Sequence, residues 1–166
     1  FIWNAISWMG LPFHSNSLKN IPEEAIQTSL IKEKMPSSGV YHFPGLPSND
    51  SPEAISEIEA KLAKGPRITM MVYKNNSTKL FDPKTFLFSA IINLITVIFT
   101  FVIISKIRLK NTKNIILTSL SIGLVASFVS DVSLMNWYMF PLDYTLINAV
   151  DKVVSFGLLG LLFAFY

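Results

Sequence analysis

The run FLFSAIINLITVIFTFVIIS, Phe86 to Ser105, holds twenty consecutive residues without a charge, a glycine or a proline. At 1.5 Å per residue such a helix reaches about 30 Å, the thickness of a bilayer's hydrocarbon core. The run reads as a transmembrane helix, so its flanks must be read against a membrane. NIILTSLSIGLVASFVS, Asn114 to Ser130, is also uncharged and spans when extended to Met135. The tail from Leu146 to Tyr166 is long enough to cross again. FIWNAISWMGLPF, residues 1–13, is apolar, aromatic and short, and reads as the end of a first transmembrane helix whose beginning precedes Phe1. No basic stretch or small-residue cleavage pattern marks it as a signal peptide. Composition agrees, with 51% hydrophobic and 15% charged residues against about 25% charged in soluble domains. The expected fold class is membrane α-helical. About four transmembrane helices lie at 1–13, 86–107, 114–135 and 146–166, with a small α+β segment at 14–85.

Loop charge sets the expected orientation. KIRLKNTK, residues 106–113, carries Lys106, Arg108, Lys110 and Lys113 without an acid, whereas Met135 to Thr145 carries only Asp143. The positive-inside rule places the first loop in the cytoplasm and segment 14–85 outside it, in a multi-pass protein of a cell's inner membrane. Trp137, Tyr138 and Tyr144 have the amphipathic rings of an outer interface; Trp3 lies deeper and fits it poorly. The formal charge of +3 arises largely from the basic loop and gives a nucleic-acid partner little support. With no cysteine, disulfides and thiol chemistry are excluded.

Segment 14–85 has nearly balanced charge, divided by proline and glycine into short pieces. NIPEEAIQTSLIKEK opens with Asn20 as cap, Pro22 in the first turn and Glu23 three residues after the cap, with Ala25, Ile26, Ser29 and Leu30 as its buried stripe. SPEAISEIEAKLAKG repeats the recipe, with Asp50 or Ser51 capping, Pro52 leading, Gly65 stopping, and Ile55, Ile58 and Leu62 as the apolar face. A β-prone run follows each helix, SGVYHF and RITMMVY. The echo of PEEAI in PEAI suggests a degenerate repeat, and strand, helix, strand suggests a right-handed parallel crossover. Two strands alone are marginal in water. The unit is expected to lean on a partner through the edge at Ile68, Met70, Val72 and Tyr73, or on apolar area at Trp137, Tyr138 and Phe140.

WMGLPFH, the PEEAI to SSGVYHFPG segment and NWYMFPLDYTL together resemble a widespread group of small bacterial integral membrane proteins with a short helix-rich extracytoplasmic segment. The resemblance covers nearly the whole chain. It implies the architecture above and no activity or catalytic residue.

The charges between the last two apolar runs decide between a fastening and a working site. Ser119, Gly123, Ser127 and Asp131 recur every four residues, a stripe of small side chains that lets membrane helices approach closely. Lys152, Phe156, Gly160 and Ala164 share that spacing. Two antiparallel helices would bring Asp131 and Lys152 to one depth, about a turn below the outer interface, as an ion pair. Asp151 points about 100° away and reads as hydrated or as a helix cap. His14 and His42 are weak metal candidates, since no ligand spacing joins them, and both read as surface or interface residues. Ser37-Ser38-Gly39 lacks the glycines of a nucleophile elbow, and no phosphate-cradling motif occurs. Asn76-Ser77-Thr78 fits a glycosylation pattern that only a eukaryotic secretory route would use.

The function expected is a non-catalytic accessory or scaffold subunit of a larger bacterial membrane complex, in contact with lipids and other membrane subunits. No cofactor is expected beyond a lipid or a pigment belonging to a partner. The alternatives are a small ion, proton or solute transport component using Asp131, Asp151 and Lys152, and a membrane enzyme using His14 and His42 with an acid.

Overall fold

The structure is a computed structural model that describes residues 1–22, 28–47, 49–76, 79, 82–107, 109 and 111–165. It divides into two units, one formed by residues 1–20 with 79–166 and the other by residues 21–78.

In the first unit, α1 (Ile2–Ala5) runs on into a π-helical turn, Ile6–Gly10, and α2 (Phe13–Ser17) follows beyond Leu11 and Pro12. Helix α5 covers Pro83–Ile107, and α6 (Thr112–Ser127) continues through a second π-helical turn, Phe128–Val132, into α7 (Ser133–Tyr138). Helix α8 covers Leu142–Ala164. Among the described residues three helices are long and apolar enough to cross a membrane: Pro83–Ile107, Thr112–Tyr138 and Leu142–Ala164. Each begins earlier than the hydropathy edge in the sequence, because Pro83, Asn111 and Pro141 can start a helix among polar neighbours. Asn111 caps α6 by accepting from the Lys113 amide. The opening segment, expected as the end of a fourth crossing, is helical over Ile2–Gly10 and is not one of the three.

The main packing contact of this unit is α6 on α8. Ser119, Gly123, Ser127 and Asp131 are all buried on the α6 side. A Cβ at Gly123 would stand 3.0 Å from Phe156 Cβ and 3.2 Å from Val153 Cα. One at Gly160 would stand 2.8 Å from Ser119 Cβ and 3.0 Å from Ile116 Cα. Glycine here is therefore a matter of distance between backbones, the small-residue packing that replaces hydrophobic drive in lipid. Ser127 Oγ lies within donor range of the carbonyls of Gly123, at 2.9 Å, and Ala149, at 3.2 Å.

The second unit contains α3 (Thr28–Lys34), β1 (Gly39–Phe43), α4 (Pro52–Lys64) and β2 (Ile68–Tyr73). Glu23, Ala25, Ile26 and the side chains of Ser29 and Leu30 lie outside the described residues, as do Ser77, Thr78, Arg108 and Lys110. Ser51 caps α4 by accepting from the Ala54 amide, Pro52 leads it and Gly65, at φ 56°, ends it. Ile58 and Leu62 are half-buried, while Ile55 is exposed. Lys61 donates to Glu57 at 2.6 Å, and that hydrogen bond, aided by the ammonium's charge, holds the Glu57 carboxyl below its ordinary range.

The strands are antiparallel, pairing Gly39 with Tyr73, Val40 with Val72 and Tyr41 with Met71, so the expected parallel crossover is wrong. Parallel sheets need helices over both faces, whereas an antiparallel pair tolerates one bare face and has the straighter hydrogen bonds. The bare face is visible: Val40 is 64% and Val72 76% exposed, directly opposite one another.

If the close approach of α6 and α8 holds the helical unit together, Gly160→Val should lower its stability by about 1–3 kcal/mol through overpacking. Gly157→Ala, which meets chiefly the flexible end of Leu120, should cost much less. Equilibrium unfolding in mixed detergent micelles measures both, and a fully stable Gly160→Val would remove that role from the glycine.

Candidate functional site

Two ionisable residues follow one another on α8. Asp151 is nine residues beyond Leu142, so both it and Lys152 lie about 14 Å along α8. An isolated charge near the middle of a membrane helix costs roughly 2.5–3.5 kcal/mol on insertion scales. Each therefore needs a partner, and successive helix residues point about 100° apart. The partners must come from two different sides.

On the α6 side, Lys152 Nζ donates to both carboxylate oxygens of Asp131, each at 2.7 Å. The Asp131 side chain is 9% exposed and that of Lys152 36%. Asp131 sits in the π-helical turn Phe128–Val132. Such a turn inserts a residue into the helix and re-aims the side chains beyond it, and here it presents the carboxylate to α8 across the small-residue seam.

On the other side, Asp151 is 9% exposed and accepts from His14 Nε2 at 3.1 Å. This corrects the expectation that Asp151 is hydrated or capping, and of the two places expected for His14, surface or interface, it removes the surface, since His14 is 2% exposed. The reason is the opening segment. Its π-helical turn carries Ser7 and Trp8, and α2, just beyond Pro12, carries His14 and packs on α8. Ser7 Oγ lies 3.3 Å from the same Nε2, and the Trp8 ring stacks on His14 at 3.8 Å and 14°. His14 Nδ1 is buried without a hydrogen-bond partner.

Serine, histidine and aspartate in contact invite comparison with a hydrolase triad, and the wiring differs. A triad places the serine on one ring nitrogen and the carboxylate on the other, so that the proton can pass through the ring. Here Ser7 and Asp151 converge on Nε2, and Nδ1 faces no acid. The cluster orients His14 and covers Asp151; it contains no relay.

Around Lys152 and Asp151 lies a polar network that sequence reasoning missed. Asn4 Nδ2 donates to Asn93 Oδ1 at 3.3 Å, and Ser155 Oγ donates to Asn4 Oδ1 at 3.1 Å. These residues, with Thr96, Asn148, Asp151 and Lys152, line a cavity of about 470 Å³ within the helical unit. Two sequence signals could have found it. Asn93 is an amide inside the otherwise apolar run 86–105, and Asn148, Lys152 and Ser155 have the spacing of one α8 face.

The remaining candidates sit apart from this cluster. His42 Nδ1 lies 3.1 Å from the Pro44 carbonyl within the second unit. Among the described residues no group of three His, Cys, Asp or Glu side chains could hold a metal ion. Trp137 and Tyr138 are exposed, and Phe140 rests against Tyr144 at 5.3 Å. Met70 and Tyr73 are half-buried in β2, while Ile68 and Val72 are exposed. Comparison with protein-family models, with curated proteins and with solved structures finds no match to the chain.

Removing one member of the Asp131–Lys152 pair strands the other charge, so Asp131→Asn and Lys152→Met should each cost on the order of 2 kcal/mol, and the double change less than the sum. Unfolding in micelles of the four members of this cycle gives the coupling. Strict additivity would mean that the two charges are independently solvated.

Proposed function

We propose that the chain is a non-catalytic accessory or scaffold subunit of a larger bacterial inner-membrane complex. The observation that carries this is how little of the chain buries itself. Among the described residues Ile104 is the only large hydrophobic side chain that is buried, and in the second unit only Pro44 is buried. Lipid can cover the helices, but a water-exposed unit of under 60 residues, without a disulfide and with a single buried residue among those described, falls in the size range where outside support is usual. The bare Val40 and Val72 pair and the two open strand edges are the kind of surface that another chain completes. Within the membrane, α5 buries only Thr100 and Ile104. A 25-residue apolar helix so loosely held suits contact with a neighbouring subunit.

The proposed arrangement has about four crossings, with residues 1–13 belonging to the first. The loop 106–113 is cytoplasmic, and the second unit and the turn at Trp137 are extracytoplasmic, following the Lys and Arg bias. Lipid fills the apolar cavity of about 310 Å³ whose lining includes Leu11, Phe13, Leu146, Val150 and Val154. Catalysis is absent from this reading because His14 has no relay and is committed to Asp151.

Mild detergent extraction from the native membrane should recover the chain with at least one other membrane protein in fixed ratio. Val72→Glu should release that protein while the helices stay inserted. Recovery as a lone monomer, or a partner indifferent to Val72→Glu, would count against the subunit reading. For sidedness, a single cysteine at Asn136 should react with an impermeant reagent in intact cells and one at Asn111 should not; labelling at Asn111 would reverse the orientation.

A further inference from the structure

Two cavities lie one beyond the other where the opening segment meets α8. The deeper one, of about 310 Å³, is bordered by Leu11 and Phe13 on one wall and by Leu146, Ile147, Val150 and Val154 on the other. Ser7 and Asp151 border it too, but they are 2% and 9% exposed, and Ser7 Oγ and Asp151 Oδ2 meet His14 Nε2. The second cavity, of about 340 Å³, is bordered by Ser17 and Lys19 on one wall and by Phe140, Asp143 and Tyr144 on the other. Helical spacing makes the two cavities successive levels of one groove. Asp143, Ile147, Val150 and Val154 follow one another by four, three and four residues on a single α8 face, and Phe13 and Ser17 are one turn apart on α2, which packs on α8.

The length of the groove matches one leaflet. Leu146 to Val154 rises about 12 Å along α8, and the hydrocarbon of one leaflet is about 15 Å deep, half of a core of about 30 Å. The deeper cavity therefore has the reach of one acyl chain and an apolar wall to receive it. The second cavity lies at the start of α8, the level of the head groups, and its lining changes character there. Lys19 and Asp143 are exposed, and among the described residues neither has an ion-pair partner. A cation and an acid left open at one cavity match a head group that carries both signs, whereas a purely anionic head group would leave the Asp143 carboxylate facing a like charge. Phe140 and Tyr144, their rings 5.3 Å apart, give that level the amphipathic lining of a membrane interface.

We infer that this groove is a binding site for one molecule of a zwitterionic phospholipid with a primary-amine head group, its acyl chain against Phe13, Val150 and Val154, its phosphate at Lys19 and its ammonium at Asp143. Both polar contacts are charge-assisted hydrogen bonds, and the pair of them reads the head group. A lipid held in this way ties α2 to α8 beside the contact of His14 with Asp151. The inference rests on the reading of α8 as a membrane crossing, and it gives the lipid of the proposed function a head group and a place. It does not depend on a partner subunit, since every residue of the groove lies in the helical unit.

The test uses the full chain, purified in detergent without any partner and titrated with phosphatidylethanolamine, phosphatidylcholine or phosphatidylglycerol of identical acyl chains, with bound lipids counted by native mass spectrometry. One phosphatidylethanolamine should be retained more tightly than either of the others. Asp143→Asn and Lys19→Gln, both at exposed positions, should each weaken its retention about tenfold and remove the head-group preference. Val150→Trp, which fills the deeper cavity, should remove the retained molecule whatever its head group, with helical content by circular dichroism confirming that the fold persists. Equal retention of the three lipids would mean ordinary lipid contact and overturn the site. So would a preference for phosphatidylglycerol or phosphatidylcholine, or a preference for phosphatidylethanolamine that both exposed variants keep. Because no partner is present, failure here would leave the co-extraction result standing, and recovery of the chain as a lone monomer would leave this site standing.

Discussion

Asp151 and Lys152 stand side by side on a helix that must lie in an apolar medium, and the rest of the helical unit is arranged around that constraint. Adjacent helical residues cannot share a partner on one face, so α8 has to be approached from two sides. Helix α6 approaches from one and brings Asp131 to Lys152 at 2.7 Å. The opening segment approaches from the other and brings His14 to Asp151 at 3.1 Å. The first approach depends on glycine and serine, since a methyl group at Gly160 would collide with Ser119 and with the α6 backbone. Charge pairing and close packing are thus one requirement in lipid: the pair forms only if the backbones come near, and they come near only where side chains are small.

Both partners come from or beside a π-helical turn. Phe128–Val132 carries Asp131, and Ile6–Gly10 carries Ser7 and Trp8, which hold the His14 ring. A π turn gives up regular hydrogen bonding to redirect a side chain, and such turns occur often at functional positions. In this chain they aim polar groups at α8. The result is an ordered cluster in which Asp131, Lys152 and Asp151 each have a polar partner.

The second unit follows a different rule. In water an antiparallel pair of strands may leave one face bare, and the Val40 and Val72 pair shows that this one does. Good local signals build α4, from the Ser51 cap to the Gly65 stop. Local signals do not by themselves supply a core, and among the described residues of this unit only Pro44 is buried, which leaves a unit of this size marginal.

The sequence by itself determined the class of the protein and most of its local structure. Apolar run length marked the three spanning helices, cap residues marked α4, and the four-residue recurrence of small side chains named the α6 face that buries Asp131 against Lys152. These features are local or periodic, and periodicity survives in a linear text. Tertiary structure decided the rest. Strand direction depended on which faces could be covered, which no residue of β1 or β2 encodes alone. The place of His14 depended on a break at Leu11 and Pro12 that turns a seemingly exposed residue back onto α8, 137 positions away in sequence from Asp151. The polar cavity depended on Asn4, Asn93 and Ser155 meeting from three separate helices. None of these contacts has a spacing to read, because the physics that selects them is the need of buried polar groups for partners, and partners are chosen by the fold.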